Sequence, residues 1–278
     1  MLILLIVLFI LILINPNVAK VSFLASSMLW YKSLVPILYP SLLFIDLLMN
    51  DKSLKVISDY LFKPFKYIFN INYPKSVILI ILSIICGVPG NVKAIDICIK
   101  NKEISNTEGN NLIFAYSNMS LAYTIYIFNI FDMPFYIYFI FSFLISSIIF
   151  FILNKKEEIN YKNDFIFEKP INTLFKSINK STKTLFTILG IIVLFNILIN
   201  LFFPNGFILY PYFEILGGIN YIKEKSLSFI FVIFALGFLS LSAHMQILSV
   251  KSDLPYYKFL IIRLIYSILL SCFWVFLC

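Results

Sequence analysis

The chain has 278 residues and a formal net charge of +8; 61% of its residues are hydrophobic and only 13% are charged. Soluble domains carry roughly 25% charged residues, so a soluble fold of this chain would expose mostly Phe, Ile and Leu. The composition therefore excludes a soluble domain. It predicts an all-α, polytopic helical protein of the cell membrane, with the lipid bilayer around it.

The basic residues argue against a nucleic-acid partner. All but one of the 22 are lysines, and they lie between apolar runs, as expected for segments that flank a membrane. A single histidine and four cysteines without a CxxC pair predict neither a metal site nor a disulfide framework, and no motif indicates an enzyme. We therefore expect no cofactor. The cysteines are expected to be small buried side chains: Cys86, Cys98, Cys272 and Cys278.

Eight apolar runs follow one another along the chain: 1–19, 33–50, 75–92, 110–131, 133–153, 184–203, 226–250 and 256–278. A full membrane crossing takes roughly 20 residues. The first run lacks the basic start and the cleavage site of a signal peptide, so it is predicted to be a retained helix that continues toward Ala19. The run 75–92 is short, and its Gly87-Val88-Pro89-Gly90 sequence cannot continue a regular helix. This run predicts a re-entrant hairpin.

The distribution of lysines predicts the topology. If the hairpin at 75–92 returns to the cytoplasmic side, the connecting segments on that side carry 16 of the 22 basic residues, and the opposite side carries four. The positive-inside rule favours this arrangement, which also places the N-terminus in the cytoplasm. A full crossing at 75–92 would divide the lysine-rich segments 51–75 and 154–183 between the two sides.

The two halves of the chain have the same order of segments. In the first half, 1–153, the N-terminal helix precedes a second helix, the broken hairpin, a span interrupted at 117–120, and an uninterrupted helix. The second half, 154–278, repeats this order, with a hairpin broken at 214–218 and a span interrupted at 240–246. In the predicted topology the hairpins start from opposite sides, so the halves are inverted repeats within one membrane domain. Paired broken segments point to a substrate site near mid-membrane in a transporter.

The residues at the four breaks are the candidate solute-binding residues, because unwound backbone inside a membrane needs polar partners. They are Gly87, Pro89, Gly90, Asn91, Ser117, Asn118, Ser120, Glu214, Gly217, Gly218, Ser240, Ser242, His244 and Gln246. Their hydroxyl and amide groups either bind a polar solute or bridge helices. Glu214 either binds a coupling Na⁺ or H⁺ or caps its hairpin. His244 either belongs to a solute or proton pathway or bonds to a neighbouring backbone carbonyl.

Three further ionisable residues are expected to be structural. Arg263 lies in the last apolar run and either pairs with an acid or extends to the membrane surface. Asp46 lies near the end of its run and is expected at the inner interface. Asp96 is expected to pair with Lys93, three residues earlier.

Three stretches of the sequence carry a resemblance to a known family: residues 30–44, the Gly87-Val88-Pro89-Gly90 turn, and residues 237–246 with their Ser-x-His-x-Gln pattern. Together they resemble the nucleoside-recognition (Gate) domain family and, within it, the YlbJ-type sporulation integral membrane proteins. That family is similar to concentrative nucleoside transporters. The resemblance implies a secondary transporter or permease that binds a small polar or aromatic solute at the broken helices. The implied solute is nucleoside-like, or dipicolinate in a sporulation context.

The alternative is a non-transporting structural or assembly protein of a cell or spore membrane. That alternative predicts that the breaks face other helices without an aqueous cavity. The sequence leaves open the coupling ion and whether the chain forms a homo-oligomer.

Overall fold

Helices make up most of the chain. A computed structural model describes residues 2–49, 51, 53–156, 170–204, 209–224 and 228–277. These residues form 15 α-helices and one short π-helical segment, and no β-strand occurs among them. The prediction of an all-helical protein is confirmed.

In chain order the helices are α1 (Leu2–Ile14), α2 (Pro16–Leu29), the π-helical segment (Trp30–Leu34), α3 (Val35–Met49), α4 (Ser53–Phe69), α5 (Pro74–Cys86), α6 (Gly90–Lys100), α7 (Asn106–Tyr116), α8 (Leu121–Ile130), α9 (Phe135–Leu153), α10 (Pro170–Phe202), α11 (Tyr210–Phe213), α12 (Ile215–Glu224), α13 (Ile230–Phe238), α14 (Leu241–Val250) and α15 (Tyr256–Leu277).

Five helical stretches in these ranges are long and apolar enough to cross a membrane: Pro16–Met49, Phe135–Leu153, Leu174–Phe202, Ile230–Val250 and Tyr256–Phe276. A sixth results if α4 and α5, which are bent by 80° at their junction, cross together. Large apolar side chains on these helices point outward; Ile152 on α9 and Phe276 on α15 are 71% and 86% exposed. Such exposure is favourable where lipid surrounds the protein.

The N-terminal part differs from the prediction. α1 ends well before Ala19, and residues 16–49 form one continuous helical stretch instead of a loop followed by a second helix. Pro16 explains where α1 ends, because proline has no N–H to donate to α1 but suits the first position of α2. Lys20 and Lys32 are therefore exposed side chains of a helix rather than residues of a connecting loop.

Pro36 accounts for the π-helical segment. Its ring nitrogen cannot donate a hydrogen bond, so an α-helical turn at this point would lose a backbone partner. The Val35 N–H donates instead to the Trp30 carbonyl, five residues earlier. This wider turn carries the helix past the proline without ending it.

The second half begins with a longer helix than the apolar pattern predicts. α10 starts at Pro170, whereas the apolar run starts at residue 184, so Lys176, Lys180 and Lys183 lie on the helix. Lysine is a good helix former, and its charge does not end the helix. Residues 157–169 of the predicted connecting segment lie outside the described residues.

Buried apolar side chains form two clusters. One lies mainly among α5, α6 and α7, and the other lies mainly among α8, α12, α13 and α15. Met119, at the break between α7 and α8, packs against both clusters. That break therefore lies where the two halves of the core meet.

The cysteines follow the prediction in part. Cys86 and Cys98 are free and buried, as expected. Cys272 is free but exposed, because it lies on the outward face of α15. Cys278 lies outside the described residues.

Candidate functional site

The tip of the first hairpin packs on the break between α7 and α8. The Val88 N–H donates to the Asn118 carbonyl at 2.9 Å, and the Asn91 side-chain amide donates to the Tyr116 carbonyl at 3.0 Å. Carbonyls at the end of a helix lack partners within that helix. The hairpin supplies these partners, which unwound backbone needs inside a membrane.

Gly87 allows this close approach. Its φ is +58°, and a Cβ at this position would lie 2.1 Å from the backbone nitrogen of Ser120. Any side chain would overlap with backbone atoms of the break, and glycine adopts this conformation more readily than other residues. Pro89 and Gly90, the other predicted residues of the tip, are buried at the start of α6.

Serine side chains at two breaks cap the helices that follow. At the start of α8, Ser120 Oγ accepts from the backbone N–H three residues later at 3.3 Å, and at the start of α14 Ser240 Oγ does the same at 3.4 Å. The Ser242 hydroxyl lies 2.9 Å from the Ser240 hydroxyl. Ser120 and Ser240 therefore serve as helix caps, and Ser242 bonds to the second of them. Ser117 differs, because its hydroxyl is buried without a hydrogen-bond partner in the described part of the chain.

The break between α13 and α14 is shorter than predicted. Only Leu239 and Ser240 separate the two helices, and the rest of the polar stretch, residues 241–246, is helical. The Ser240 cap explains the early restart of the helix. Leu239 is fully buried with φ +61°, a backbone conformation that is uncommon for a leucine.

The second hairpin turns at Glu214, between α11 and α12. One carboxylate oxygen of Glu214 accepts from the Gly217 N–H at 2.6 Å, which is the capping role that was one of its two predicted roles. Gly218 packs directly on Pro211, since a Cβ at this position would lie 2.2 Å from the proline Cα. Glu214 is only 1% exposed, so its carboxylate lies within the protein.

A small cavity, here called the central cavity, lies between the two hairpin turns, the break between α7 and α8, and the first turns of α14. Its volume is about 40 Å³, and both hairpins, both broken helices, α3 and α10 line it. Val88 contributes from the first hairpin, Glu214 from the second, Ser120 from the first broken helix and Gln246 from α14. One water molecule needs about 10–15 Å³, so the cavity has room for roughly three.

Of the predicted residues, the central cavity thus brings together Ser120, Glu214 and Gln246. The other predicted residues do not line it; Asn91, Asn118 and His244, for example, bind backbone or neighbouring helices.

Arg263 joins the two broken helices. It is fully buried, and both terminal nitrogens donate to the Asn118 side-chain oxygen at 3.3 Å, while one also donates to the Gly237 carbonyl beside the second break. Its guanidinium lies 4.1 Å from the centre of the Tyr266 ring. Among the described residues no carboxylate lies within 4 Å of Arg263, so both predicted roles, an acid pair and extension to the surface, are wrong. Asn118 also donates to the Ser146 hydroxyl at 3.1 Å.

His244 takes the second of its two predicted roles. Its Nε2 lies 2.8 Å from the Phe238 carbonyl at the end of α13, and its Nδ1 lies 3.2 Å from the Tyr256 hydroxyl. The ring also packs edge-on against Phe259. The histidine therefore satisfies a carbonyl at the break instead of lining the central cavity.

Glu108 is an important buried residue that the sequence analysis missed. Its carboxylate accepts hydrogen bonds from the Asn72 and Tyr73 N–H groups at the start of α5 and from the Asn154 side chain at the end of α9. It thereby joins three helices. A signal was present, because Ser105-x-x-Glu108 is a capping-box pattern, and Ser105 does cap α7.

The buried ion pairs differ from the prediction. Lys93 Nζ lies 2.6 Å from the Asp46 carboxylate, so Lys93 pairs with Asp46 and not with Asp96 as predicted. Asp96 pairs with Lys100 on its own helix and lies 3.9 Å from Lys251 Nζ. The i,i+4 spacing on α6 suits the Asp96 to Lys100 pair, which frees Lys93 for α3.

No family model matches this chain. Comparisons with curated proteins and with solved structures give no match either. The resemblance to the Gate domain family therefore stays a prediction, and any function has to be argued from the geometry. Among the described residues, no three His, Cys, Asp or Glu side chains lie close enough together to hold a metal ion.

Proposed function

We propose that the protein is a secondary transporter or permease whose solute passes through the central cavity. The observation that carries this proposal is the convergence of two hairpin turns, the break between α7 and α8, and the first turns of α14 on one cavity inside an apolar helical protein. Broken backbone at membrane depth is tolerated only in protein or beside a water-filled cavity, and transporters use such breaks as solute sites.

The order of elements supports an inverted repeat. A long helix, a hairpin, a broken helix and a plain helix follow one another as α3, α5–α6, α7–α8 and α9, and again as α10, α11–α12, α13–α14 and α15. In each half the plain helix packs against the broken helix before it. In the proposed topology the first hairpin is re-entrant from the cytoplasm and the second is re-entrant from the opposite side.

The size of the central cavity limits what it holds in this conformation. A space for roughly three waters does not admit a nucleoside or dipicolinate. We assign the structure to a closed state of an alternating-access cycle, in which α3 and α10 cover the breaks. Solute binding then requires these helices to move away from the hairpins. The solute class remains a small polar or aromatic molecule, as the resemblance implies.

Glu214 is the candidate for ion coupling. It is the carboxylate among the residues that line the central cavity. Its bond to the Gly217 N–H holds one oxygen at the start of α12. Protonation or Na⁺ binding at Glu214 would change the bond that fixes the hairpin turn, which would couple the ion to the shape of the cavity.

Uptake into proteoliposomes tests the proposal. We would compare wild type with Glu214→Gln and Gln246→Ala, using labelled nucleosides and dipicolinate with and without a Na⁺ or H⁺ gradient. Glu224→Gln is the matched control, because Glu224 is an exposed acid at the other end of α12. Saturable uptake by wild type and control, with loss in both cavity variants, would support the proposal. Uptake that is equal in all four proteins would refute the assigned site.

A second function, a non-transporting structural or assembly protein, is favoured by a different observation. Several polar groups at the breaks already bind other helices, as Asn118 does with Arg263 and His244 does with Phe238. This role predicts no uptake of any tested solute by folded protein, whichever gradient is applied.

A further inference from the structure

A second and larger cavity lies among α3, α6, α10 and α14. Its volume is about 460 Å³, which is within the range of small-ligand sites. We call it the basic cavity, and its charged lining residues are Asp46, Lys93, Asp96, Lys100, Lys180 and Lys183.

Two of these four lysines have carboxylate partners. Lys93 pairs with Asp46, and Lys100 pairs with Asp96. Within the described ranges, Lys180 and Lys183 have no carboxylate within 4 Å. The lining therefore carries two positive charges in excess. Lys180 and Lys183 are exposed, so their ammonium groups are open to an anion that enters the cavity from water.

One face of α10 presents these free charges. Lys180, Lys183, Thr184 and Thr187 follow the three- and four-residue spacing of a helix face, and all four line the basic cavity. The threonine hydroxyls donate to carbonyls of their own helix, at 2.9 and 3.0 Å. The two ammonium groups are therefore the donors that α10 offers to a ligand.

The floor of the cavity is fixed by a buried ion pair. Lys93 is 9% exposed, and its Nζ lies 2.6 Å from Asp46 and 3.5 Å from the Ser181 hydroxyl. This contact joins α3, α6 and α10, so α10, which carries both free lysines, is held at a defined separation from α3 and α6.

We propose that the basic cavity binds an oxyanion, a phosphate or carboxylate group, with Lys180 and Lys183 as its donors. The group belongs either to a soluble solute or to the headgroup of an anionic lipid, and both present the same chemistry to the two lysines.

The basic cavity lies close to the central cavity and shares three of its lining helices. Both are lined by α3, α10 and α14; along α10, Thr187 in the basic cavity lies about 7.5 Å from the level of Ile192 in the central cavity. If the ligand is soluble, the basic cavity is the vestibule and the transported solute is an anion. That part of the inference rests on the proposed transport function, whereas anion binding does not.

Equilibrium binding to the full chain tests the proposal. Wild type and a Lys180→Gln/Lys183→Gln variant would be placed in phosphatidylcholine nanodiscs and titrated with inorganic phosphate and with succinate at constant ionic strength. A Lys20→Gln/Lys32→Gln variant is the matched control, since it loses the same charge from exposed positions on the N-terminal helical stretch. We expect the first variant to bind at least roughly tenfold more weakly than wild type, and the control to bind equally.

A second arm separates the two sources of the anion. The same three proteins would be extracted from vesicles of phosphatidylcholine mixed with phosphatidylglycerol, and the retained lipid would be counted by native mass spectrometry. Retention of phosphatidylglycerol by wild type and control, but not by the Lys180 and Lys183 variant, would establish the anion site with a lipid headgroup as its ligand.

The proposal is overturned if the variant matches the control in both arms. Its failure is distinguishable from failure of the transport function. Solute uptake by wild type, with equal anion binding by the Lys180 and Lys183 variant and the control, would refute the basic-cavity site alone. Anion binding that depends on the two lysines, without uptake of any solute, would refute the transport function alone.

Discussion

A single methyl group at Gly87 should separate the first hairpin from the break on which it packs. In Gly87→Ala the new Cβ would lie 2.1 Å from the Ser120 nitrogen and 2.6 Å from the Met119 carbonyl carbon. Both contacts are to backbone, which cannot rotate away as a side chain can. The hairpin tip therefore has to move outward.

The expected destabilisation follows from the contacts that would be lost. The glycine has φ +58° and ψ −170°, a conformation that costs other residues about 1–3 kcal/mol. Moving the tip also breaks the bonds from Val88 to the Asn118 carbonyl and from Asn91 to the Tyr116 carbonyl. Each buried carbonyl left without a partner costs about 1–3 kcal/mol. We expect Gly87→Ala to lower the free energy of unfolding by at least about 3 kcal/mol.

Gly190→Ala is the matched control for this prediction. Gly190 lies in α10, and a Cβ there would meet nothing within 4 Å, so alanine should leave stability unchanged or raise it by up to about 1 kcal/mol. Thermal unfolding of the purified proteins in one detergent measures the difference. If Gly87→Ala unfolds at the wild-type temperature, the tip does not pack on the break as described.

Three further changes have expected outcomes. Lys93→Met should lower stability by roughly 3–5 kcal/mol, since it removes the ammonium group that lies 2.6 Å from the buried Asp46 carboxylate. Lys93→Met combined with Asp46→Leu should recover most of the loss in thermal unfolding. Glu108→Gln should cost about 1–3 kcal/mol, because one of the two oxygens that accept from α5 becomes an amide donor; unfolding at the wild-type temperature would contradict its buried role. The hydrogen bond from Lys251 lowers the pKa of the Asp253 carboxyl in the folded protein. The ionised carboxylate therefore stabilises the fold above the usual aspartate pKa, and this stabilisation is lost as the pH falls through the folded-state pKa of Asp253. The Asp253 side chain is 63% exposed, although Lys251 is buried, so Asp253→Asn should change stability by at most about 1 kcal/mol at pH 7. The effect should disappear once the pH is low enough to protonate the carboxylate, and an effect that does not fall with pH would refute this.

The breaks themselves could be predicted from the sequence because they are local. Glycine and proline at residues 87–90 cannot continue a helix, and the conformation of Gly87 meets that expectation. Serine before an apolar run favours a helix start, and Ser120 and Ser240 do cap α8 and α14. Each of these signals needs only a few neighbouring residues.

The partners of the charged residues could not be predicted in the same way. Lys93 and Asp46 are 47 positions apart, and Arg263 and Asn118 are 145 apart, so their contacts depend on how the helices pack. Local spacing favoured a pair of Lys93 with Asp96, but Lys100 offers Asp96 a better position on the same helix. Helix continuity was also missed between the first two apolar runs, because Lys20 and Lys32 interrupt the apolar pattern although lysine is a good helix former.

Access of water to the central cavity from both sides of the membrane is the most direct test of the transport function, because it requires no knowledge of the solute. Ala243 lines the cavity, so Ala243→Cys in a chain without its native cysteines should react with a membrane-impermeant thiol reagent. Ala94→Cys, in the buried apolar cluster of α6, is the matched control that should not react. Reaction of Ala243→Cys in both right-side-out and inside-out vesicles would agree with alternating access through the central cavity. If folded Ala243→Cys protein reacts from neither side of the membrane, alternating access through the central cavity is contradicted, and the non-transporting structural role is favoured.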